Sequence, residues 1–113
     1  MNDQEKGWTR IAEHINELPF AGNDIAVIEF EGRKICVARR NGQAFAFSYK
    51  CPHAGGILAF GHIDSNCHLV CPLHRYRFDM KNGRNVSGEG YYLKHWKVRI
   101  DEEGVFIGNQ LNG

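Results

Sequence analysis

The sequence predicts an all-β protein, folded as an antiparallel β-sandwich or barrel. Short segments rich in β-branched and aromatic residues recur at intervals of about 8–12 residues, which is typical of such folds. Turns that contain glycine separate these segments, and the chain has 13 glycines but only three prolines. No segment keeps the 3.6-residue apolar period of a helix, apart from a possible turn near residues 13–18.

Three strands are predicted before residue 40. Trp8–Ile15 alternates loosely between apolar and polar residues, with Trp8 as an apolar anchor, and Ile25–Phe30 is strongly apolar. Glu31-Gly32 has the composition of a tight turn, and the apolar segment Lys34–Ala38 follows it directly. The second and third strands are therefore expected to pair as a hairpin.

A second hairpin is predicted at Asn41-Gly42, because this dipeptide favours a two-residue turn between antiparallel strands. The next strand, Gln43–Tyr49, places Phe45, Phe47 and Tyr49 on one face. In the second half of the chain the turn signals are Asn82-Gly83 and Glu103-Gly104. The strands predicted around them are His68–Val70, Tyr76–Asp79, Asn85–Ser87, Leu93–Ile100 and Val105–Ile107.

Length and composition predict one domain over residues 1–113. The chain is 42% hydrophobic and 24% charged, with a net charge of +1, which is ordinary for a globular protein and excludes a strongly basic nucleic-acid binder. It has no apolar stretch of about 20 residues and no apolar signal segment near residue 1, so no membrane partner and a cytoplasmic location are expected. In that reducing compartment the four cysteines are expected to be metal ligands or buried thiols.

The charge is unevenly distributed along the chain. Residues 32–100 contain twelve lysines and arginines but three acidic residues. Four of these cations, Arg75, Arg77, Lys81 and Arg84, follow the second of two cysteine-containing loops. Two interpretations remain open: the charges are scattered and solvated, or they form a basic face that attracts an acidic partner.

The candidate chemistry lies in these two loops, Cys51-Pro52-His53-Ala54-Gly55-Gly56 and Cys71-Pro72-Leu73-His74. Each loop offers one thiol and one imidazole, and four such ligands at one point make a metal site. A site with one Cys and one His from each loop suits two irons, one held by both thiolates and the other by both imidazoles. The prolines stiffen both loops, and Gly55 and Gly56 allow close backbone approach.

The Cys51-x-His53 and Cys71-x-x-His74 motifs resemble those of Rieske [2Fe–2S] proteins, and the resemblance covers nearly the whole chain. It implies that Cys51 and Cys71 bind one iron and that His53 and His74 bind the other. It also implies a Rieske-like fold whose cluster-binding subdomain, formed by the two loops, spans approximately residues 50–80.

The soluble ferredoxins of aromatic-ring dioxygenase systems are the members that the chain resembles most in particular. This resemblance implies a monomeric one-electron carrier that is not itself an enzyme. Such a carrier takes electrons from a flavin-dependent reductase and passes them to a terminal oxygenase. In agreement with this role, the sequence contains no nucleophilic triad, phosphate loop or dinucleotide fingerprint.

Several positions differ from the pattern of related families. Respiratory Rieske proteins carry a disulfide where this chain has Gly56 and Leu73, and hydroxyl donors to the cluster where it has Tyr76 and Phe78. With a donor lost at Phe78, the potential is expected near the low end of the Rieske range, about −150 mV. Ring-dioxygenase ferredoxins often have Gly at the position of Arg75, and a Gly-Pro loop where this chain has the proline-free residues 87–90.

Three other functions remain open. A small Rieske subunit of an assimilatory nitrite reductase has a similar domain, although many such subunits lack the cluster ligands. A Rieske protein without partners could act as a redox sensor. A zinc ion bound by the same four residues could instead stabilise an interaction module.

The remaining cysteines, histidines and aromatic residues are interpreted as structural. Cys36 is predicted to be a buried thiol. Cys67, at the start of a strand, is a weak alternative ligand because it would break the Cys–His pairing of the loops. His62 and His68 are predicted at the surface or in strand turns, with His62 as a candidate for the rim of the cluster. Solvent-facing strand positions are predicted for His14 and His95, and core positions for Phe45, Phe47, Trp96 and Phe106.

Overall fold

The structure, a computed structural model, describes residues 7–52, 55–73, 75–88 and 90–111, and these contain ten β-strands. In chain order the strands are β1 (Trp8–Ala12), β2 (Ile25–Phe30), β3 (Arg33–Arg40), β4 (Gln43–Ser48), β5 (His62–Ile63), β6 (His68–Val70), β7 (Arg77–Asp79), β8 (His95–Trp96), β9 (Val98–Asp101) and β10 (Gly104–Gly108). Single 3₁₀ turns occur at Ile15–Glu17 and Leu58–Phe60. The described residues include no helix with the length and apolarity needed to cross a bilayer.

The strands form three antiparallel sheets, which confirms the predicted fold class. The first sheet has the order β1-β10-β9, the second β2-β3-β4-β8 and the third β5-β6-β7. Two hairpins of the second sheet have the predicted two-residue turns, in which Glu31, Gly32, Asn41 and Gly42 all have positive φ. Turns of this hand match the twist of the flanking strands and therefore fix the register of the sheet.

The second sheet is buried on both faces because alternate residues of its strands enter two different cores. Cys36 and Ala38 of β3 pack in one core with residues of the third sheet, such as Leu69 and Phe78. Ile35 and Val37, on the other face of β3, pack with Ile107 of the first sheet. The molecule therefore has three layers, with the second sheet in the middle.

The aromatic residues that were predicted in the core lie largely as expected. Phe47, Trp96 and Phe106 are buried, and Phe45 is half-buried. Phe45, Phe47 and Tyr49 all pack on the face of β4 that meets the third sheet, as their period-two spacing predicts.

One predicted strand is divided in two. Residues 93–100 were expected to form one strand, but β8 pairs with β4 whereas β9 pairs with β10. The chain moves from the second sheet to the first at Lys97, whose carbonyl accepts a hydrogen bond from the Gly108 amide at 2.8 Å. Such sheet switching lets one chain segment join two packed layers.

Other element boundaries also differ from the prediction. β1 ends at Ala12, and His14 lies exposed before the 3₁₀ turn rather than in a strand. His95 is half-buried, with Nδ1 3.1 Å from the Leu93 carbonyl oxygen. The segment 85–87 is not a strand and pairs only through an isolated bridge between Asn85 and Phe78. β5 was not predicted, because two residues are too few to show an alternating pattern.

Candidate metal centre

The first cysteine loop is a short hairpin extension of β4. An antiparallel bridge between Lys50 and Ile57 closes its base. Inside it, the Cys51 amide donates to the Gly56 carbonyl at 2.7 Å, and the Cys51 carbonyl accepts from the Gly55 amide at 3.0 Å. Gly55 has a φ of +71°, which L side chains rarely adopt. The loop therefore turns back on itself with Cys51 at its buried first position.

The second cysteine loop connects β6 to β7 in the same way. Val70 and Arg77 pair at its base, and the Cys71 amide donates to the Tyr76 carbonyl at 2.8 Å. Arg75 completes the turn with a φ of +56°. In both loops, then, a cysteine amide is bonded to the carbonyl five residues further on, and a proline follows the cysteine.

These two loops bring Cys51 and Cys71 together. Their side chains are 3% and 0% exposed and share one apolar core. Burial raises the pKa of the Cys71 thiol above its ordinary value, and a hydrogen bond with the Cys51 thiol raises it further. The Cys71 thiol therefore stays protonated at neutral pH, and a bound metal cation would deprotonate it.

Gly56 lies against the Cys71 thiol and the Leu73 side chain. A Cβ atom added there would be 3.1 Å from Cys71 Sγ and 3.0 Å from Leu73 Cβ, which is tighter than ordinary contact. The first loop can therefore approach the second only because residue 56 has no side chain. Soft thiol ligands beneath a bare backbone suit an iron–sulfur cluster, so the described part of the site fits this group.

The two predicted imidazole ligands, His53 and His74, lie outside the described residues. Within the described part of the chain, no third His, Cys, Asp or Glu joins Cys51 and Cys71 to complete a metal site. Leu73, which precedes His74, is 41% exposed and gives the second loop an apolar surface. Cys51 and Cys71, the two predicted ligands that the structure describes, thus lie together and are buried.

The other cysteines lie away from this pair. Cys36 is fully buried in β3, as predicted, and burial raises the pKa of its thiol to about 12. Cys67 is half-buried at the start of β6, whereas Cys71 follows the end of that strand. At about 3.3 Å per residue, the strand separates the two Cα atoms by about 13 Å, so they cannot bind one small cluster together.

Two further histidines lie in the third sheet. His62 is exposed and pairs with Val70, the residue before Cys71, so its backbone lies beside the second loop. His68 lies at the opposite end of β6, with Nδ1 3.6 Å from the Asp64 carboxylate. Desolvation raises the pKa of Asp64, but hydrogen bonds from the His68 and Asn66 amides outweigh it and lower this pKa overall. His68 is therefore the half-buried first residue of β6, hydrogen-bonded to the turn that precedes this strand, and not a surface histidine.

The two positions at which related families carry hydroxyl donors differ in their surroundings. Phe78 is fully buried in the core that contains both loop cysteines, and it has no hydroxyl. Tyr76 packs partly against that core, with its ring centroid 6.2 Å from that of Tyr91. Position 78 therefore offers no hydroxyl to the core that contains the two cysteines.

A sequence model of the family described as the Rieske [2Fe-2S] domain matches residues 8–91, so the chain belongs to that family. Its cofactor is a Rieske-type [2Fe–2S] cluster, which confirms the predicted class of cofactor. Both loop cysteines lie within the matched region.

Individual relatives include both small ferredoxins and large enzymes. The chain is 26% identical over 85 residues to the ferredoxin component of the naphthalene 1,2-dioxygenase system of Pseudomonas aeruginosa, covering 74% of this chain and 81% of that protein. It is 27% identical over 114 residues to cholesterol 7-desaturase nvd of Bombyx mori, covering 95% of this chain. The chain spans about a quarter of the length of that desaturase, 24%.

Solved structures show the same fold. The ferredoxin of carbazole 1,9a-dioxygenase from Nocardioides aromaticivorans IC177 matches with a TM-score of 0.73 at 22% identity, covering 91% of this chain and 98% of that one. A putative NADH-dependent nitrite reductase small subunit from Mycobacterium tuberculosis matches with a TM-score of 0.75 at 15% identity, covering 91% and 95%. The fold is therefore common to proteins of different systems.

Proposed function

We propose that this chain is a one-electron carrier whose Rieske cluster is held by Cys51, His53, Cys71 and His74. The observation that carries this proposal is the pair of matched loops that brings two buried thiols together, with Gly56 against the Cys71 thiol. Cys51 and Cys71 would hold one iron, and His53 and His74 the other. When bound, the cluster supplies a centre that accepts and releases a single electron.

The described residues of the chain contribute to this function by burial and by shape. The apolar core around Cys51 and Cys71 keeps water from the thiolates, and the bonded loops limit movement when the charge of the site changes. The proposed domain spans residues 1–113, with the cluster-binding part at approximately 50–80. Support for these bounds comes from the third sheet, which carries one loop and packs against the other.

The ligand set can be tested by electron paramagnetic resonance of anaerobically purified, dithionite-reduced protein, with iron and acid-labile sulfide measured on the same sample. Two irons, two sulfides and a Rieske-type signal are expected. Each of the variants Cys51→Ala, His53→Ala, Cys71→Ala and His74→Ala should lose that signal. Cys67→Ala is the matched control and should retain it, because Cys67 lies at the far end of β6. Zinc without sulfide in fresh anaerobic protein would overturn the proposal.

The proposed partners are a flavin-dependent reductase as donor and a terminal oxygenase as acceptor. The similarity to the naphthalene dioxygenase ferredoxin component, which spans most of both chains, supports an oxygenase as the acceptor. A role as the small subunit of a nitrite reductase is the second candidate, supported by the equally close fold of such a subunit. Stopped-flow mixing of the reduced chain with a purified terminal oxygenase, or with a nitrite reductase catalytic subunit, separates the two by which protein reoxidises it.

A further inference from the structure

An open groove lies beside the β3–β4 turn, between the N-terminal end of β4 and the junction of β8 with β9. Its volume is about 570 Å³. Trp8 and Phe45 provide apolar surface, Met80 and Trp96 lie beneath as a buried floor, and Lys81 and Lys97 stand among them. Both tryptophans of the chain therefore line the groove.

The charge of the groove is positive. Lys81 and Lys97 are exposed, and neither has an ion pair with any described residue. Arg99 also lines the groove, but its guanidinium stacks on Phe106 at 4.1 Å and lies 3.0 Å from the Asp101 carboxylate, so its charge is already compensated. No Asp or Glu is among the lining residues that the structure describes. Two uncompensated ammonium groups beside aromatic rings favour an anionic occupant with an apolar part.

The groove is remote from the cysteine loops. β4 runs from Gln43, which lines the groove, to Ser48, close to Cys51. That path is about 16 Å at the usual rise of a strand. A neighbouring cavity of about 300 Å³ shares Lys81 with the groove and is lined by Cys67, at the far end of β6 from Cys71. The cysteine loops and the groove can therefore be occupied at the same time.

We propose that this groove binds an acidic segment of a partner protein that carries a bulky apolar side chain between its carboxylates. The apolar side chain would lie against Trp8 and Phe45, and the carboxylates would pair with Lys81 and Lys97. Small-molecule sites bury most of their ligand, whereas this groove is open to solvent along its length. An extended peptide, which needs only one side covered, suits an open groove better. Such a contact would tether a partner without covering the electron-transfer loops.

The test uses the full-length protein with its cluster and two synthetic peptides, acetyl-Glu-Asp-Phe-Asp-Glu-amide and its neutral counterpart acetyl-Gln-Asn-Phe-Asn-Gln-amide. Because both tryptophans line the groove, their indole N–H resonances and fluorescence report directly on binding. The acidic peptide should shift both indole signals saturably. The neutral peptide should bind about tenfold more weakly, since it lacks both ion pairs.

Substitutions of the two lysines test whether the peptide binds in the groove. Lys81→Glu combined with Lys97→Glu should abolish the response to the acidic peptide. The double variant Arg33→Glu, Lys34→Glu makes the same change of net charge at exposed positions near the β2–β3 turn and should bind as the wild type does. Equal binding of the two peptides, no shift at either indole, or a response that survives in the Lys81, Lys97 variant would overturn the proposal. Benzoate binding more tightly than the acidic peptide would also overturn it, in favour of a small carboxylate ligand.

Discussion

At the scale of single residues, the site depends on the small size of Gly56. A Cβ atom placed at residue 56 would be only 3.1 Å from Cys71 Sγ. The missing side chain therefore allows the first loop to come close to the second. The sequence predicts that Gly55 and Gly56 permit close approach, but it does not separate their roles. In the structure Gly55 provides the positive φ and Gly56 provides the space. A sequence records both as the same residue type, so this division of roles needed the backbone.

We expect Gly56→Ala to reduce both stability and cluster content. The added methyl group would push against Cys71 Sγ and Leu73 Cβ, which costs about 1–3 kcal/mol in a packed site. Urea unfolding and iron content measure the two effects. Gly22→Ala is the control, because a Cβ there meets nothing within 4 Å. Equal stability and iron content in the two variants would show that the loops tolerate a side chain between them.

The absence of a hydroxyl at Phe78 leads to a prediction for the reduction potential. Fewer donors to a cluster stabilise its reduced, more negative state less, so a potential of about −150 mV is expected. Phe78→Tyr should raise it by about 40 mV if the new hydrogen bond is worth about 1 kcal/mol. A redox titration followed by absorbance measures this shift, with Phe45→Tyr as a control in the distant groove. A wild-type potential well above zero would contradict the explanation.

Cys36 gives a prediction at alkaline pH. Its thiol has a pKa of about 12 in the folded chain against an ordinary value of 9.0, because it is buried. The unfolded chain therefore releases this proton first, and the free energy of unfolding falls as the pH rises from about 9 to about 12. The wild type should lose up to about 1.4 kcal/mol per pH unit more than Cys36→Ala in this range. Anaerobic urea unfolding at several pH values measures both slopes, and equal slopes would contradict the burial of this thiol.

At the scale of elements, the sequence predicted strands well where the pattern was local. The hairpins at Asn41-Gly42 and Glu31-Gly32 were correct because glycine adopts positive φ readily at the second turn position, and Asn41 tolerates it at the first. The division of residues 93–100 between β8 and β9 was missed because polarity alternates through Lys97 without a break. Only the partner strands, which are remote in sequence, determine where the chain changes sheets.

The side chain of Asn23 forms a clamp between the start of β2 and residues 59–61, which lead into β5. Its Nδ2 donates to the Ala59 and Gly61 carbonyls, both at 2.9 Å, while its Oδ1 accepts from the Ile25 amide at 3.2 Å. No sequence signal marked this residue, because the carbonyls it binds are more than thirty positions away. Asparagine in a loop before a strand ordinarily indicates only a turn.

Asn23→Ala should destabilise the chain by about 1–3 kcal/mol, because it leaves two carbonyls without their donor. Asn82→Ala is the matched control, since the Asn82 side chain accepts one bond, from the exposed Arg84 amide. That variant should lose about 1 kcal/mol or less. Urea unfolding compares the two, and a cost for Asn23→Ala no greater than that of the control would contradict the clamp.

At the scale of the whole molecule, the basic segment divides between two regions. The sequence placed Arg75, Arg77, Lys81 and Arg84 near the second loop. The structure keeps Arg75 and Arg77 at that loop, but β7 carries the chain away from it, and Lys81 lines the distant groove. The net charge of the segment indicated an excess of cations but not which surface each cation lies on, because the turn after each strand reverses the course of the chain.

For the proposed electron-transfer face, the rate of reoxidation by a terminal oxygenase should fall as ionic strength rises. Arg75→Glu combined with Arg77→Glu should lower the rate at low salt by about tenfold, because steering toward an acidic partner is lost. Stopped-flow absorbance measures these rates. A rate that changes neither with ionic strength nor in the variant of Arg75 and Arg77 would exclude an acidic docking surface on the partner.

The closing bonds of the two loops have a consequence for substitutions at the metal ligands. Each bond joins the amide of a cysteine to a carbonyl five residues further on, so it uses backbone atoms alone. The course of both loops is therefore set by the same ladder that builds the sheets, and not by the side chains that bind metal. The shape of the loops and the identity of the metal ligands are thus specified by different atoms, so an exchange of one ligand side chain should leave both closing bonds in place.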